Sequence, residues 1–444
     1  MPETPQIRTG DTPASLAYVL KGYPRLSETF ISSEIYRIEQ AGVPLRIYVV
    51  KPSDEVSHHP TVDRIQAKPV YLPRTTSLKE THLFTWLRRH LRSFAPGVWK
   101  TFRRRPAGVI RAAVAAFAQA VRARRSFWAW PRKVYLKEFL QAATLSDHLL
   151  QAPDVRHLHA HFCHGVTTVT WLASIMTGLP FSFTAHAKDL YSPSLNPAGL
   201  LQRKMDAASF VVTCTENNRD FLQKVGSKTS VHCVYHGLNA DFSRLLKQTE
   251  PGNERNGHLR ALAVGRLVPK KGFDIFVQAC AILRQRRVDF EALIVGESGE
   301  HETVIRNLIA AHGLESRIHL TGPMSQAMLF REYQQATTFC LPCRVLDNGD
   351  RDGIPNVLVE AMACGLPVIS TTVSGIPEAV RHEESGLLIP TEDAVALADS
   401  LVRLHQDRGL ARRLSQAARR TVSERFDGDK FAGHLANYFR EALA

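Results

Sequence analysis

No apolar run in the 444-residue chain approaches the ~18 residues that a membrane-spanning helix needs. The first sixteen residues are polar and mixed in charge, without the apolar stretch of a secretory signal. Low-complexity tracts and short repeats are missing too, which argues against fibrous or disordered classes. Cysteine is sparse and odd in number, at positions 163, 214, 233, 280, 340, 343 and 364, with several inside apolar runs such as Phe210–Cys214. That usage predicts buried free thiols in a reducing, cytoplasmic setting rather than a disulfide framework. Cys340-Leu-Pro-Cys343 has redox-motif spacing, but it follows the strand-like Thr337–Phe339 with no thioredoxin context, so a structural role is expected.

Acid is the most telling absence. Between Thr81 and Lys137 there is no Asp and no Glu, against fourteen Lys and Arg. The chain carries 56 basic and 42 acidic residues, so the remaining 42 basic residues balance the acidic ones and the whole net charge of +14 sits in this segment. Four of the five tryptophans, Trp86, Trp99, Trp128 and Trp130, sit there as well. Ile110, Val114, Phe117 and Val121 recur on one helical face, with Arg111 and Arg122 off that stripe. Basic residues mixed with interfacial aromatics suit a surface lying on an anionic membrane. The competing reading is a helical elaboration whose tryptophans are core. No recognised nucleic-acid module accompanies the charge, so no nucleic-acid partner is expected.

What is present describes a globular protein of two or three domains, 44% hydrophobic and 22% charged. Strand-like runs alternate with helical stretches. They fall at 17–20, 45–50, 157–161, 180–185, 209–213 and 230–235, then at 260–264, 291–295, 317–321, 338–341, 367–370 and 386–389. Many are continuously apolar, as strands buried on both faces of a parallel sheet should be. Helical patterns include 273–283 and 304–311. The polar segment Gln248-Thr-Glu-Pro-Gly-Asn-Glu-Arg-Asn-Gly257 reads as a linker. The expected α/β architecture is therefore two doubly wound, Rossmann-like domains, 1–247 with a basic helical segment at 81–137, and 258–424, followed by a C-terminal helix at 425–444.

Ligands of such folds bind beyond the carboxyl ends of strands, and two motifs lie there. In Val264-Gly-Arg-Leu-Val-Pro-Lys-Lys-Gly-Phe273 a strand ends, Arg266 and Lys271 project, and a helix begins near Gly272. Two cations beside a helix N-terminus suit a diphosphate, although a plain basic surface loop would look the same. In Asp352-Gly-Ile-Pro-Asn-Val-Leu-Val-Glu360 an acid precedes a helix with Pro355 in its first turn, and a second acid lies within it. An ionised Glu360 facing a cleft could accept the vicinal hydroxyls of a ribose, Asp352 could grip sugar hydroxyls, and the amides near Ile354–Val357 could face phosphate. An N-cap Asp and a solvated Glu are the ordinary reading. It is disfavoured because an Ala-Met-Ala helix face follows Glu360.

Arg266 with Lys271, Asp352 with Glu360, Gly365-Leu-Pro-Val368 and Ser374-Gly-Ile-Pro-Glu378 together resemble the donor half of family-4 retaining glycosyltransferases. The first half resembles their exopolysaccharide, colanic-acid-type branch through Tyr23-Pro-Arg-Leu-Ser-Glu-Thr-Phe-Ile31, His159-Ala-His-Phe162 and Phe183-Thr-Ala-His-Ala-Lys-Asp-Leu-Tyr191. The resemblance implies the GT-B fold, with two Rossmann-like domains facing a central cleft. It implies that Arg266 and Lys271 hold the donor diphosphate and that Glu360 binds the nucleotide ribose. Asp352 would contact the donor sugar, and His186 would sit near the transferred sugar. Gly353, Ile354, Pro355, Asn356 and Val357 would complete the nucleotide-sugar contacts. Two departures stand out: Asp352 where the family commonly has Glu, and Gly22-Tyr23-Pro24 where a glycine pair is usual, leaving Ser27 and Glu28 to offer contacts from that loop.

His157, His159 and His161 share one strand face, near His164, but no carboxylate or cysteine completes a familiar zinc spacing, and no metal is expected. Gly296-Glu-Ser-Gly299 lacks the third glycine of a dinucleotide fingerprint and is expected to shape the donor cleft. The implied enzyme moves a sugar from a UDP- or GDP-sugar to a saccharide or polyprenyl-diphosphate-linked saccharide. It would need no cofactor and would be peripheral on the inner face of the plasma membrane. The alternatives are a nucleotide-sugar epimerase on the same scaffold and a non-catalytic membrane-surface binding protein.

Overall fold

A computed structural model describes residues 13–25, 28–53, 59–78, 81–248 and 258–444. The linker beyond Gln248, and Ser27, lie outside the described residues.

The first sheet contains β1 (Ser15–Leu20), β2 (Leu45–Val49), β3 (Pro69–Tyr71), β4 (Val155–His161), β5 (Phe181–Ala185), β6 (Val211–Thr213) and β7 (Val231–Cys233). The second contains β8 (Leu259–Val264), β9 (Phe290–Val295), β10 (Ile318–Gly322), β11 (Thr338–Leu341), β12 (Val368–Thr371) and β13 (Leu387–Ile389). Every strand pairing is parallel. The orders are β3-β2-β1-β4-β5-β6-β7 and β10-β9-β8-β11-β12-β13, so the architecture is GT-B. Each sheet reverses direction once, between β1 and β4 and between β8 and β11, and crevices open beyond the strand ends at these switch points. The short edge strand β3, with its Pro69 and exposed Val70 and Tyr71, has no apolar run and was not expected from the sequence.

Alternation along β1 divides the first core. Leu16, Tyr18 and Leu20 face the helices Thr29–Gln40 and Gly428–Leu443, while Ala17 and Val19 face the opposite layer. The C-terminal helix thus returns to the first sheet. Its Phe439 ring lies 5.9 Å from Tyr18 and 4.8 Å from His159, and Arg37 Nε donates to Asp429 at 2.7 Å. In the other direction, Phe242 packs against Phe330 and Tyr333 in the core of the second sheet.

The basic segment forms two helices, Leu83–Arg104 and Pro106–Arg122. They pack on the helices Val134–Leu150 and Gly165–Thr177, the first through Trp86, Phe94, Gly97 and Thr101 and the second through a narrow face of mostly small residues. Thr101 donates to the Ala143 carbonyl, and Gly108 lies against the backbone of Met176. Trp86 is fully buried and donates to the Thr76 carbonyl, whereas Trp99, Trp128 and Trp130 are exposed. The expectation of core tryptophans thus holds for Trp86 and fails for the other three.

Candidate active site

The Arg266–Lys271 motif begins where β8 ends. Arg266 stands exposed on the loop, and the chain makes one 3-10 turn, Pro269–Lys271, before the helix Phe273–Gln285. The loop after β11 runs through Asp350 and Asp352 to the helix Asn356–Ala363. Pro355 is the cap just ahead of that helix rather than within its first turn. The two loops meet in a buried charge network. Lys271 Nζ lies 2.7 Å from Asp352 Oδ2, and Lys270 Nζ lies 3.3 Å from Asp352 Oδ1 and 3.0 Å from Asp350. Burial alone would raise the Asp352 carboxyl, but Lys271 and Lys270 hold it well below the usual carboxylate range. Burial opposes the charge on Lys270 as well, and Asp352 and Asp350 more than offset it. A cavity of about 300 Å³ opens in front of this network, lined among others by Arg266, Lys270, Ser298 and Lys188. Gly296 keeps the β9 loop against the β8 loop, since a Cβ there would lie 1.8 Å from the Gly265 carbonyl oxygen.

Glu360 departs from its expected state. It is buried, accepts a hydrogen bond from the Tyr333 hydroxyl at 3.0 Å, and burial pushes its carboxyl up to about 7. It makes no hydrogen bond to Arg266, Lys271 or Asp352 among the described residues.

The opposite wall is built where strands of the first sheet end. His186 follows β5 directly and caps the helix Ala187–Tyr191, its N–H donating to Asp189 at 2.9 Å. Its ring packs on Phe162, beyond β4, at 4.7 Å and on His236, beyond β7, at 5.3 Å. Burial lowers the pKa of His186 well below its ordinary value, and His236 adds to the effect. His161 Nδ1 lies 3.4 Å from His186 Nε2, while its Nε2 lies 2.8 Å from Glu34. His161 thus bridges Glu34 and His186, and His186 Nδ1 faces the Cys214 thiol at 3.9 Å. Burial pushes that thiol up to about 12. Burial alone would raise Glu34, yet His161, His236 and the Tyr18 hydroxyl hold it down at about 2.

The walls touch around the site. Glu378, from the second domain, accepts the N–H groups of Glu216 at 2.8 Å and Asn217 at 2.9 Å, at the start of the helix Glu216–Lys224, and the Tyr235 hydroxyl at 2.8 Å. Arg351 lies over the Tyr191 ring at 4.2 Å. Beside it Gly349 has φ +83°, and a Cβ there would strike the Tyr191 carbonyl at 1.9 Å. Gly353 lies against Ala187 and Cys214.

Residues 247–421 match the family described as glycosyl transferases group 1. The amylovoran biosynthesis glycosyltransferase AmsK of Erwinia amylovora is 30% identical over 418 residues, 93% of this chain and 96% of that protein. The chain belongs to the group 1 glycosyltransferases. The putative colanic acid biosynthesis glycosyltransferase WcaL of Escherichia coli K12 is 36% identical over 185 residues, 42% of this chain and 45% of that one. Anabaena Alr3699/HepE, solved in complex with UDP and glucose, superposes with a TM-score of 0.63 at 15% identity, covering 96% of this chain and all of that one. That likeness speaks for the fold.

In this glycosyltransferase the fold joins Lys271 to Asp352, sets Arg266 on the lining of the cavity before them, and brings Ala187 and Cys214, neighbours of His186, against Gly353. Sequence reasoning passed over Lys270, Glu34, Cys214 and His236. Cys214 and His236 follow strand ends and could have been found by that rule. Glu34 lies mid-helix and carries no such signal. The histidines of β4 have partners of their own. His157 and His159 both reach the Ser182 hydroxyl, at 2.9 and 2.8 Å, and His159 also reaches Thr184 at 3.0 Å. Sequence spacing offered these histidines no carboxylate or cysteine, but the tertiary structure brings such groups from distant segments. Glu34 stands with His159 and His161, and Cys214 with His186 and His236, each trio having its ligand-type atoms within 4.8 Å.

Proposed function

We propose that this glycosyltransferase moves a hexosyl group from a UDP- or GDP-sugar to a saccharide carried on a polyprenyl-diphosphate lipid, in the synthesis of an exopolysaccharide or other cell-surface glycan. The observation that carries the reading is the cation-lined cavity at the β8/β11 switch point, backed by the Lys271–Asp352 pair. The names of the amylovoran and colanic acid relatives support the pathway class, and the UDP and glucose bound by Alr3699/HepE support the donor class.

In this reading the exposed Arg266 pairs with the donor diphosphate, and Lys271 supplies the charge behind it. The first-turn amides of the helix Asn356–Ala363, with Gly353, Ile354 and Pro355 leading into it, approach the phosphates. Asp352 is already oriented by Lys271 and accepts hydroxyls of the donor sugar. Glu360, ionised when ribose arrives, accepts its hydroxyls. The acceptor oxygen then bonds to the anomeric carbon as the bond from that carbon to the phosphate oxygen breaks. The acceptor proton passes to the departing phosphate on the same face, so configuration is retained. His186, neutral and fixed by its ring neighbours, hydrogen-bonds the transferred sugar. The protein works at the inner face of the plasma membrane, where such an acceptor is presented.

The test is incubation with radiolabelled UDP- and GDP-sugars plus membrane extract. Label in a lipid-extractable saccharide is expected. Isomerised free donor would point to an epimerase, and no conversion to a binding protein. Glu360→Ala should weaken transfer at least tenfold, mainly through the KM for donor. Unchanged transfer would overturn its assignment to the ribose.

A further inference from the structure

The apolar stripe of the second basic helix faces outward. Ile110, Val114 and Phe117 are all more than half exposed, whereas the buried side of Pro106–Arg122 is Val109 with the small Ala112, Ala116 and Ala120. Helices on a protein core normally turn their large apolar side chains inward; this one does the reverse. The first helix buries Trp86 and Phe94, yet it also leaves Phe84, Leu91 and Phe102 exposed at i, i+7 and i+18, one face of a 3.6-residue repeat. The third contribution is the loop after the second helix, where Trp128 and Trp130 are 90% and 92% exposed and Phe127 packs edge-on against Trp128 at 5.2 Å. That loop is tied down rather than dangling. Arg132 N–H donates to the Ala120 carbonyl at 3.0 Å, and Lys133 Nζ donates to the Thr81 carbonyl at 2.7 Å. Those bonds hold it at the end of the pair where Phe84 and Val121 lie.

Cations border the apolar groups. Arg111 and Arg122 stand roughly a quarter-turn from the Ile110–Phe117 stripe, and Arg92 and Arg103 stand similarly beside Phe84 and Phe102. Arg124 lies over the Phe127 ring at 5.6 Å. Among the described residues, ion pairs from this segment run from Lys100 and Arg104 to Asp147, at 3.8 and 3.7 Å, and from no other of its cations. Neither helix is long and apolar enough to cross a membrane. A rigid apolar face with fixed aromatic tips and a cationic border suits one occupant: the interface of an anionic bilayer, with rings among the acyl chains and guanidinium groups at the phosphates.

We infer that the outward faces of Leu83–Arg104 and Pro106–Arg122, with the Phe127–Trp130 loop, form a bilayer-docking surface that inserts its aromatic side chains beneath anionic headgroups. It deepens the lipid-linked acceptor reading by naming the surface that meets the lipid, but it stands on its own observation and is tested without transfer chemistry.

The full-length protein is mixed with vesicles of phosphatidylcholine alone or of phosphatidylcholine with phosphatidylglycerol, and binding is followed by sedimentation and by tryptophan quenching with brominated lipid. Binding is expected to need the anionic lipid, with quenching that shows insertion. The variant W128S/W130S, altered only at exposed positions, should bind at least tenfold more weakly and lose most of the quenching. Replacing Arg103, Arg111 and Arg122 by Gln should weaken binding about fivefold per cation. Both variants should keep the parent melting temperature and the parent rate on a water-soluble acceptor. That arm separates failure of docking from failure of the transferase reading. Parent-like vesicle binding by W128S/W130S would overturn the proposal, as would equal binding to neutral vesicles. A concentration-dependent dimer dispersed by Phe117→Ser would overturn it too, by assigning the face to a second copy of the chain.

Discussion

Around His186 the first domain stacks aromatic rings and histidines, burial opposing the charge on His186 and His236, and holds two carboxylates, Glu34 and Asp189, ionised beside them. Across the cleft the second domain buries Lys270 and Lys271 beside Asp350 and Asp352 and keeps these groups charged. The two walls answer the same desolvation cost differently because their residues titrate differently. A histidine can shed its proton near neutral pH, so burial simply neutralises it. Lysine and aspartate cannot do so within range, so they survive burial only as partners. The outcome is one wall of stacked rings and one of paired charges, which in the proposed reading meet sugar hydroxyls and phosphate respectively.

The largest expected effect breaks that contrast directly. Asp352→Asn leaves two buried ammonium groups short of a carboxylate, and breaking a buried pair from one side costs about 3–5 kcal/mol. Glu34→Gln in the other wall still offers an oxygen to His161 and Tyr18, so about 1–3 kcal/mol is expected. Parallel thermal melts check this. Equal losses would mean that both walls depend on charge alike. Transfer by Asp352→Asn should also fall more than a hundredfold.

Next comes Glu360, a charged-wall carboxyl that burial pushes toward its neutral form, as it does His186. Its folded pKa of about 7 lies above the usual carboxylate value. It therefore favours the folded state at low pH, and that contribution is lost as pH rises from about 4.5 through 7. Glu360→Gln keeps a neutral group throughout. Relative to the parent it should gain up to about 3 kcal/mol between pH 5 and pH 7.5 in the absence of donor. Melts across that range that run parallel would show that Glu360 titrates normally.

The smallest effect concerns the joint between the walls. Glu378→Gln turns an amide toward one of the N–H groups at Glu216 and Asn217. It should lower kcat about tenfold with little change in the KM for donor, because the walls would close less firmly over a donor already bound. Steady-state kinetics reads the split, and a proportionate rise in KM would instead place Glu378 in donor binding.

Much of the charged wall was legible before folding was considered, because its parts are local. Arg266 and Lys271 lie in one strand-to-helix loop, and Asp352 and Glu360 lie eight residues apart around a single helix start. The histidine wall was legible at His186 alone. Its partners come from distant segments: Glu34 is 127 residues from His161, and Glu378 is 162 from Glu216. No spacing rule spans such separations. Glu360 illustrates a second gap. Its position on the helix was readable, but its protonation depends on Tyr333 and on burial.

The sequence by itself determined the two parallel sheets, through twelve apolar runs that became twelve of the thirteen strands among the described residues. It also determined the concentration of the entire net charge in one segment. Only the tertiary structure decided which way the Ile110–Phe117 stripe would face. Helical periodicity marks a stripe but does not say whether a neighbour covers it. Here the close approach of Gly108, Ala112 and Ala116 to the underlying helices takes the inward side, and the larger apolar side chains are left pointing out.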